Sequence, residues 1–396
     1  MIDYGEAVRE IAARSKPLPG EAVPLGKALG RTLARDICAR GNVPPFSKAT
    51  MDGYAVRAVD TSPGVELEVT EDLPAGRVSR SRLEPGQAAR IMTGAPLPEG
   101  ADAVVMVEET ERAGARVKVL EAVRRGENVG QVGEDVRKGD LVLEKGIILG
   151  PAEIGMLAAL GHATVWVTRP PRVAVISTGD EIVEPGGKAE PGQIRNSNGP
   201  ALQAASLQAG AAAAYLGIAR DRRSSLERKI GKAKKADILV LSGGVSVGDY
   251  DLVKDELRDA GVRPVFWQVR IKPGKPVFFG TRGRLLVFGL PGNPTSAIVT
   301  FHLFVRPAID RMLGRKAVGP RVGKAVLAQG LALKPGRTQF LRAVATGHGP
   351  ELRVVPYPDQ RSGVLRSMVR SRVLIVAGAQ VARLDEGQTV DVLFID

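Results

Sequence analysis

Unbroken apolar runs recur in the second half of the chain, at residues 173–177, 213–217, 238–242 and 285–288, with helix-length stretches between them. A strand that is apolar at every position suits a parallel sheet covered on both faces, so residues 171 to about 315 predict a doubly wound α/β domain. Upstream, strand-like segments at 67–70, 89–92, 103–107 and 117–120 follow Pro44 and Pro45, which force extended backbone over 43–46, and together they predict a small β-rich domain. Pro170 and Pro171 mark the first boundary and residues 318–320 the second. Beyond the second, short apolar runs alternate with Gly/Pro turns, as in a small all-β domain. At the start, Asp3 and Glu6 have capping-box spacing, and Ala7, Val8, Ile11 and Ala12 recur at helical spacing, predicting an amphipathic packing helix.

Length and composition refine this picture. A chain of 396 residues exceeds what one hydrophobic core fills, so two to four domains are expected. Aromatics make up only 4%, against 47 Gly and 27 Pro, which suits a mixed α and β class with many turns. Lys and Arg outnumber Asp and Glu by 56 to 43; this favours anionic ligands, or reflects a general basic bias. Nucleic acid is not expected, because the basic residues are scattered and no aromatics alternate with them. Cys38 is the single cysteine, and His162, His302 and His348 lie far apart without a HExxH pattern, so no transition-metal site of protein ligands is expected. Residues 1–9 lack an apolar signal segment, and the apolar stretch 147–167 is broken by Pro151, Glu153 and His162. A cytoplasmic protein with no membrane association is expected.

Ligands of doubly wound folds bind beyond the carboxyl ends of the parallel strands, and each strand here runs into a polar, Gly-bearing loop. The first ends in Ser177-Thr178-Gly179-Asp180-Glu181, whose acids suit either Mg²⁺ beside a phosphate or a turn with a capping carboxylate. The third ends in Ser242-Gly243-Gly244-Val245-Ser246-Val247-Gly248-Asp249-Tyr250-Asp251, a candidate phosphate or oxyanion cradle that is neither a Walker A loop nor a GxGxxG fingerprint. It contains GxSxG, the serine-hydrolase elbow, but His302 sits in an apolar stretch and no HGGG segment precedes the serine. Lys272-Pro273-Gly274-Lys275-Pro276, with Arg270 beside it, presents two lysines on a proline-restricted loop. The fourth strand ends in Pro291-Gly292-Asn293-Pro294-Thr295-Ser296, where Pro294 suits a first helical turn.

These segments, taken in order with Met51-Asp52-Gly53-Tyr54-Ala55-Val56-Arg57 and Thr93-Gly94-Ala95-Pro96, resemble the MoeA family of molybdopterin molybdenumtransferases, related to the E domain of gephyrin. The resemblance spans nearly the whole chain. It implies a multidomain α/β protein: domain I at 1–45 plus about 137–170, β-rich domain II at 46–136, a molybdopterin-binding-like α/β domain III at 171–317 and a small β-barrel-like domain IV at 318–396. It also implies a homodimer, with each active site between domains III and IV of one subunit and domain II of the other. The implied reaction is Mg²⁺-dependent insertion of molybdate into the dithiolene of adenylyl-molybdopterin with release of AMP. The implied catalytic residues are Asp52, Thr93, Glu181, Asp221 and Asp251, with Glu181, Asp221 and Asp251 on Mg²⁺. Substrate and anion binding would fall to Thr178, Gly179, Asp180, Ser242, Gly243, Gly244, Ser246, Lys272, Lys275, Pro291, Gly292, Asn293, Ser296, Arg342 and Ser362. Transient contact with the molybdopterin adenylyltransferase is a further expectation. Two departures stand out: Gln268 replaces a lysine common in relatives, and Lys48-Ala49-Thr50 replaces Asn-Ser-Ala before Met51. An adenylyltransferase consuming ATP and a gephyrin-like scaffold are the competing expectations; the flanking domains oppose the first, and the lack of long linkers or a fused partner domain the second.

Overall fold

A computed structural model describes residues 1–244 and 252–395. The chain opens with α1 (Tyr4–Arg14), which buries Ala7 and Ile11 as its spacing predicts. The capping box does not form: Asp3 occupies the cap position without a side-chain hydrogen bond and instead pairs with Arg270 at 3.4 Å. β1 (Gly20–Pro24) then waits for a partner far along the chain. A six-stranded sheet intervenes: β2 (Gly53–Val56), β3 (Glu66–Leu73), β4 (Gln87–Ile91), β5 (Ala103–Met106), β6 (Thr110–Ala113) and β7 (Arg116–Val119), in the order β5-β2-β4-β3-β7-β6. Both faces are covered, Tyr54, Val56 and Leu67 in one cluster and Ala55, Leu73 and Ile91 in another. After α2 (Pro151–Ala159), β8 (Thr164–Thr168) returns to pair antiparallel with β1, Gly20 opposite Thr168.

The α/β layer follows: β9 (Arg172–Thr178), α3 (Asn198–Gln208), β10 (Ala212–Ala219), α4 (Arg223–Lys232), β11 (Ile238–Ser242), α5 (Leu252–Asp259), β12 (Arg263–Phe266), β13 (Ile271–Lys272), β14 (Phe278–Arg282), β15 (Leu285–Leu290) and α6 (Pro294–Thr300). A π turn, Phe301–Val305, leads on to α7 (Arg306–Met312). The sheet runs β10-β9-β11-β15-β14-β12, with the first four strands parallel. Because strand side chains alternate, Val173, Val175, Ile238 and Val240 face the core shared with α3, α6, α7 and α1, while Ala174, Ile176, Leu239 and Leu241 face α4 and α5. The sheet is therefore doubly wound, with an antiparallel pair, β12 and β14, at one edge.

The last segment closes on itself. β16 (Arg321–Leu327), β17 (Thr338–Thr346), β18 (Arg353–Pro356), α8 (Arg366–Arg370), β19 (Val373–Ala377) and β20 (Thr389–Phe394) include five strands joined as β17-β18-β16-β20-β19, and β19 pairs back onto β17. Leu341, Ala343 and Ile375 fill this barrel. The alternate residues Phe340, Leu374 and Leu393 point outward into the α/β core, where Phe340 meets Tyr4 edge-on at 5.0 Å. A second tie is β13, the strand of the two-lysine loop, which pairs parallel with β17, Ile271 opposite Thr338. The barrel is thus bonded to the loop whose chemistry it borders. Among the described residues, no helix is long and apolar enough to cross a membrane.

Candidate functional site

Two joined cavities lie where the parallel strands end and the barrel begins. The first, of about 420 Å³, is lined by Ser177, Thr178 and Glu181 at the end of β9, by Ser242, Gly243 and Gly244 at the end of β11, by Pro291, Gly292 and Asn293 after β15, and by residues 194–198 leading into α3. Three strand ends are stitched together here. Thr178 Oγ1 donates to the Ser242 carbonyl (3.4 Å), Asn198 Nδ2 donates to Ser242 Oγ (2.8 Å) and to the Gly292 carbonyl (2.7 Å), and Ser177 Oγ donates to Asn196 Oδ1 (3.1 Å). Glycine is required at 243: its φ is +95°, and a Cβ would come within 2.7 Å of the Thr178 carbonyl oxygen. Gly179, at φ +138°, likewise leaves the space beside Glu181 open, because a Cβ would overlap that carboxylate.

The second cavity, of about 690 Å³, shares Pro276, Pro291 and Asn293 with the first and is cationic. Lys272 and Lys275 face Arg337, Arg361 and Ser362 across the seam between α/β layer and barrel. Ser362 is anchored to the start of α6: Asn293 Nδ2 donates to its Oγ (3.0 Å) and the Thr295 amide to its carbonyl (3.2 Å). Ser296 also lines this wall. Hydrogen bonds from the Arg361 side chain and amide hold the Asp359 carboxyl down at about 2, so this one acid in the cationic cavity stays ionised.

Other expected residues are placed less simply. Asp180 and Asp221 lie side by side, exposed, each backbone amide donating to the other's carboxylate at 3.3 Å; Asp221 follows β10 by two residues. Ser246 and Asp251 lie outside the described residues, as do the hydrolase elbow's other central positions. Its proposed histidine partner, His302, is buried beside Phe301. Asp52 and Thr93 border neither cavity of their own chain: the Thr93 amide and hydroxyl both donate to Asp52 Oδ1 at 2.7 Å, holding that exposed carboxyl below its usual range. Arg342 is a correction to the expected ligand set. It is 1% exposed, its guanidinium is directed at protein acceptors, and it borders neither cavity. Conversely, Arg195, Asn196, Ser197 and Asn198 line the first cavity and Arg337 the second without having been singled out from sequence; the polar Arg-Asn-Ser-Asn run just before a helix was the available signal.

The acids suit a hard dication in kind, since Glu181 and Asp221 offer only carboxylate oxygens and both are exposed at the strand ends. Among the described residues no three potential ligands cluster.

Comparison with known proteins gives three consecutive matches. The MoeA N-terminal region (domains I and II) matches residues 2–161, a probable molybdopterin-binding domain matches 174–311, and the MoeA C-terminal region (domain IV) matches 324–395. The molybdopterin molybdenumtransferase of Bacillus subtilis is 37% identical, over 100% of this chain and 94% of its own length; that of Staphylococcus epidermidis is 34% identical, over 100% and 96%. The crystal structure of a molybdopterin biosynthesis MoeA protein from Pyrococcus horikoshii superposes with a TM-score of 0.87 at 36% identity, covering 100% of this chain and 99% of that one.

Proposed function

The chain belongs to the MoeA family of molybdopterin molybdenumtransferases, enzymes of molybdenum cofactor biosynthesis, and on that footing we propose that it inserts molybdate into the dithiolene of adenylyl-molybdopterin, releasing AMP with Mg²⁺. One observation carries the reading: two cavities of different electrical character share a wall. The first offers glycine turns and polar donors with the Glu181 carboxylate in its lining, as a pyrophosphate link requires. The second offers fixed cations, as a tetrahedral dianion requires. A substrate lying across Pro291 and Asn293 brings its dithiolene to the oxyanion and its pyrophosphate to the acids, which converts an encounter of two molecules into a step within one site.

Lys272 and Lys275 hold molybdate in this scheme, with Arg337 and Ser362 opposite them, while Asn198 and the glycine turn hold the nucleotide side. Glu181 and Asp221, with Asp251, hold Mg²⁺; when bound, the ion neutralises phosphate oxygens. An acid of the same rim accepts the proton of the water that attacks the pyrophosphate link. Asp52, pinned by Thr93 yet exposed, completes the site of a second subunit in the homodimer. The enzyme works in the cytoplasm and takes its substrate from the molybdopterin adenylyltransferase. The test is AMP release from adenylyl-molybdopterin with Mg²⁺, with and without molybdate, for the native chain and for Asp221→Asn and Asp251→Asn. Molybdate-stimulated release that falls about 100-fold in either variant is expected; absence of turnover by the native chain overturns the proposal.

A further inference from the structure

A buried guanidinium usually faces a carboxylate, yet Arg342, among the largest fully buried side chains described, donates only to neutral acceptors among the described residues. Its Nε donates to Gln360 Oε1 (3.2 Å), Nη2 to the Asp359 carbonyl (3.1 Å), and Nη1 to the Arg361 carbonyl (3.1 Å) and to Ser367 Oγ (2.6 Å). Gln360 closes the knot by donating to the carbonyls of Arg342 (2.9 Å) and Tyr357 (2.8 Å). One rigid fork therefore fixes three consecutive residues, 359–361. On their other side these same residues, with Ser362, form the barrel's wall of the cationic cavity. The wall is thus held from behind by Arg342 and in front by the bonds of Ser362 to Asn293 and Thr295.

We propose that Arg342 is a positioning residue: it sets the backbone of the 359–362 wall, and with it the placement of Arg361 and Ser362 in the anion cavity, without touching the anion. The inference rests on the reading of that cavity as the molybdate site. No other side chain substitutes, because lysine offers three donors from one point and cannot span carbonyls on successive residues, whereas the planar fork can.

The experiment compares the native chain with Arg342→Ala and Arg342→Lys. Two quantities are measured: molybdate binding by equilibrium dialysis, and amide hydrogen exchange of residues 357–364 without molybdate. Positioning predicts that both variants lose about tenfold or more in molybdate affinity. Exchange quickens at 357–364 but not in β19 and β20, and millimolar guanidinium, filling the hole in Arg342→Ala, restores both quantities. Lost affinity with native-like exchange overturns the proposal, since Arg342 would then contact the anion itself; so does unchanged affinity. If Arg342→Ala fails to fold, Ser367→Ala removes one acceptor of the fork and must give a smaller loss of the same pattern, and its absence overturns the proposal too. A native chain that binds no molybdate refutes the reading of the cavity instead, and the exchange and rescue data still decide what Arg342 does.

Discussion

Gly53→Ala is the sharpest test of the β-rich sheet that carries Asp52. Gly53 opens β2 between two neighbours, opposite Ile91 of β4 and Met106 of β5. A Cβ there would stand 2.8 Å from the carbonyl carbon of Val105, 3.0 Å from Cα of Met106, and closer still to the Val105 carbonyl oxygen. All three are backbone atoms of β5, so no rotamer relieves the clash; β5 must move, and it is buried and paired. Overpacking of this kind costs about 3 kcal/mol, at the upper end of measured cases, because backbone has to yield. In a unit of this size that lowers Tm by roughly 10 °C or more. Gly155 supplies the control: it lies exposed inside α2 with nothing within 4 Å of its would-be Cβ, so Gly155→Ala should gain about 0.5–1 kcal/mol from the entropy lost by the unfolded chain. Thermal unfolding with amide exchange across β2, β4 and β5 reads both. A Gly53→Ala variant within about 0.5 kcal/mol of native would refute the argument, since substitutions without such a clash usually fall in that range.

Two further predictions concern charge. Asp237 is raised by burial, but its two bonds to Arg169 (2.7 and 2.8 Å) and the Arg172 amide outweigh this and hold it below its usual value. Because the folded value is the lower one, the pair contributes stability above the unfolded pKa near 4 and loses it as pH falls through the folded value; Asp237→Asn should cost about 1–3 kcal/mol at pH 7 and flatten that acid limb in urea titrations. An acid limb as steep in the variant as in the native chain counts against this assignment. Asp359 should titrate at about 2 by carboxyl NMR. In Arg361→Ala it should rise towards the ordinary carboxylate range, and no rise would show that Arg361 is not what holds it.

How much of this was legible in the sequence depends on whether the cause is local. The alternation Val173, Ala174, Val175, Ile176 is apolar on both parities, and that alone implies a sheet covered twice; the two core clusters divide these residues by parity as expected. The edge pair β12 and β14 was not visible, because Pro264 interrupts one strand and the two-lysine loop separates them. Asn198 was passed over because its segment follows none of the long apolar strands, and only folding brings it against Ser242 and Gly292.

Arg342 shows the limit most clearly. Its neighbours Leu341 and Ala343 point into the barrel, so period-two alternation puts Arg342 outside, where a cation reads as a surface or ligand residue. What reverses that reading is residues 357–362 folding over the strand from outside, an event that hydropathy does not record. The cost of burying that cation is offset by its bonds to the Asp359 and Arg361 carbonyls, Gln360 Oε1 and Ser367 Oγ, so the guanidinium and the loop support each other. A buried Arg bonded to backbone, amide and hydroxyl oxygens, under a loop whose far side lines a cavity, therefore points to the geometry of that cavity as the reason an expensive group is kept there.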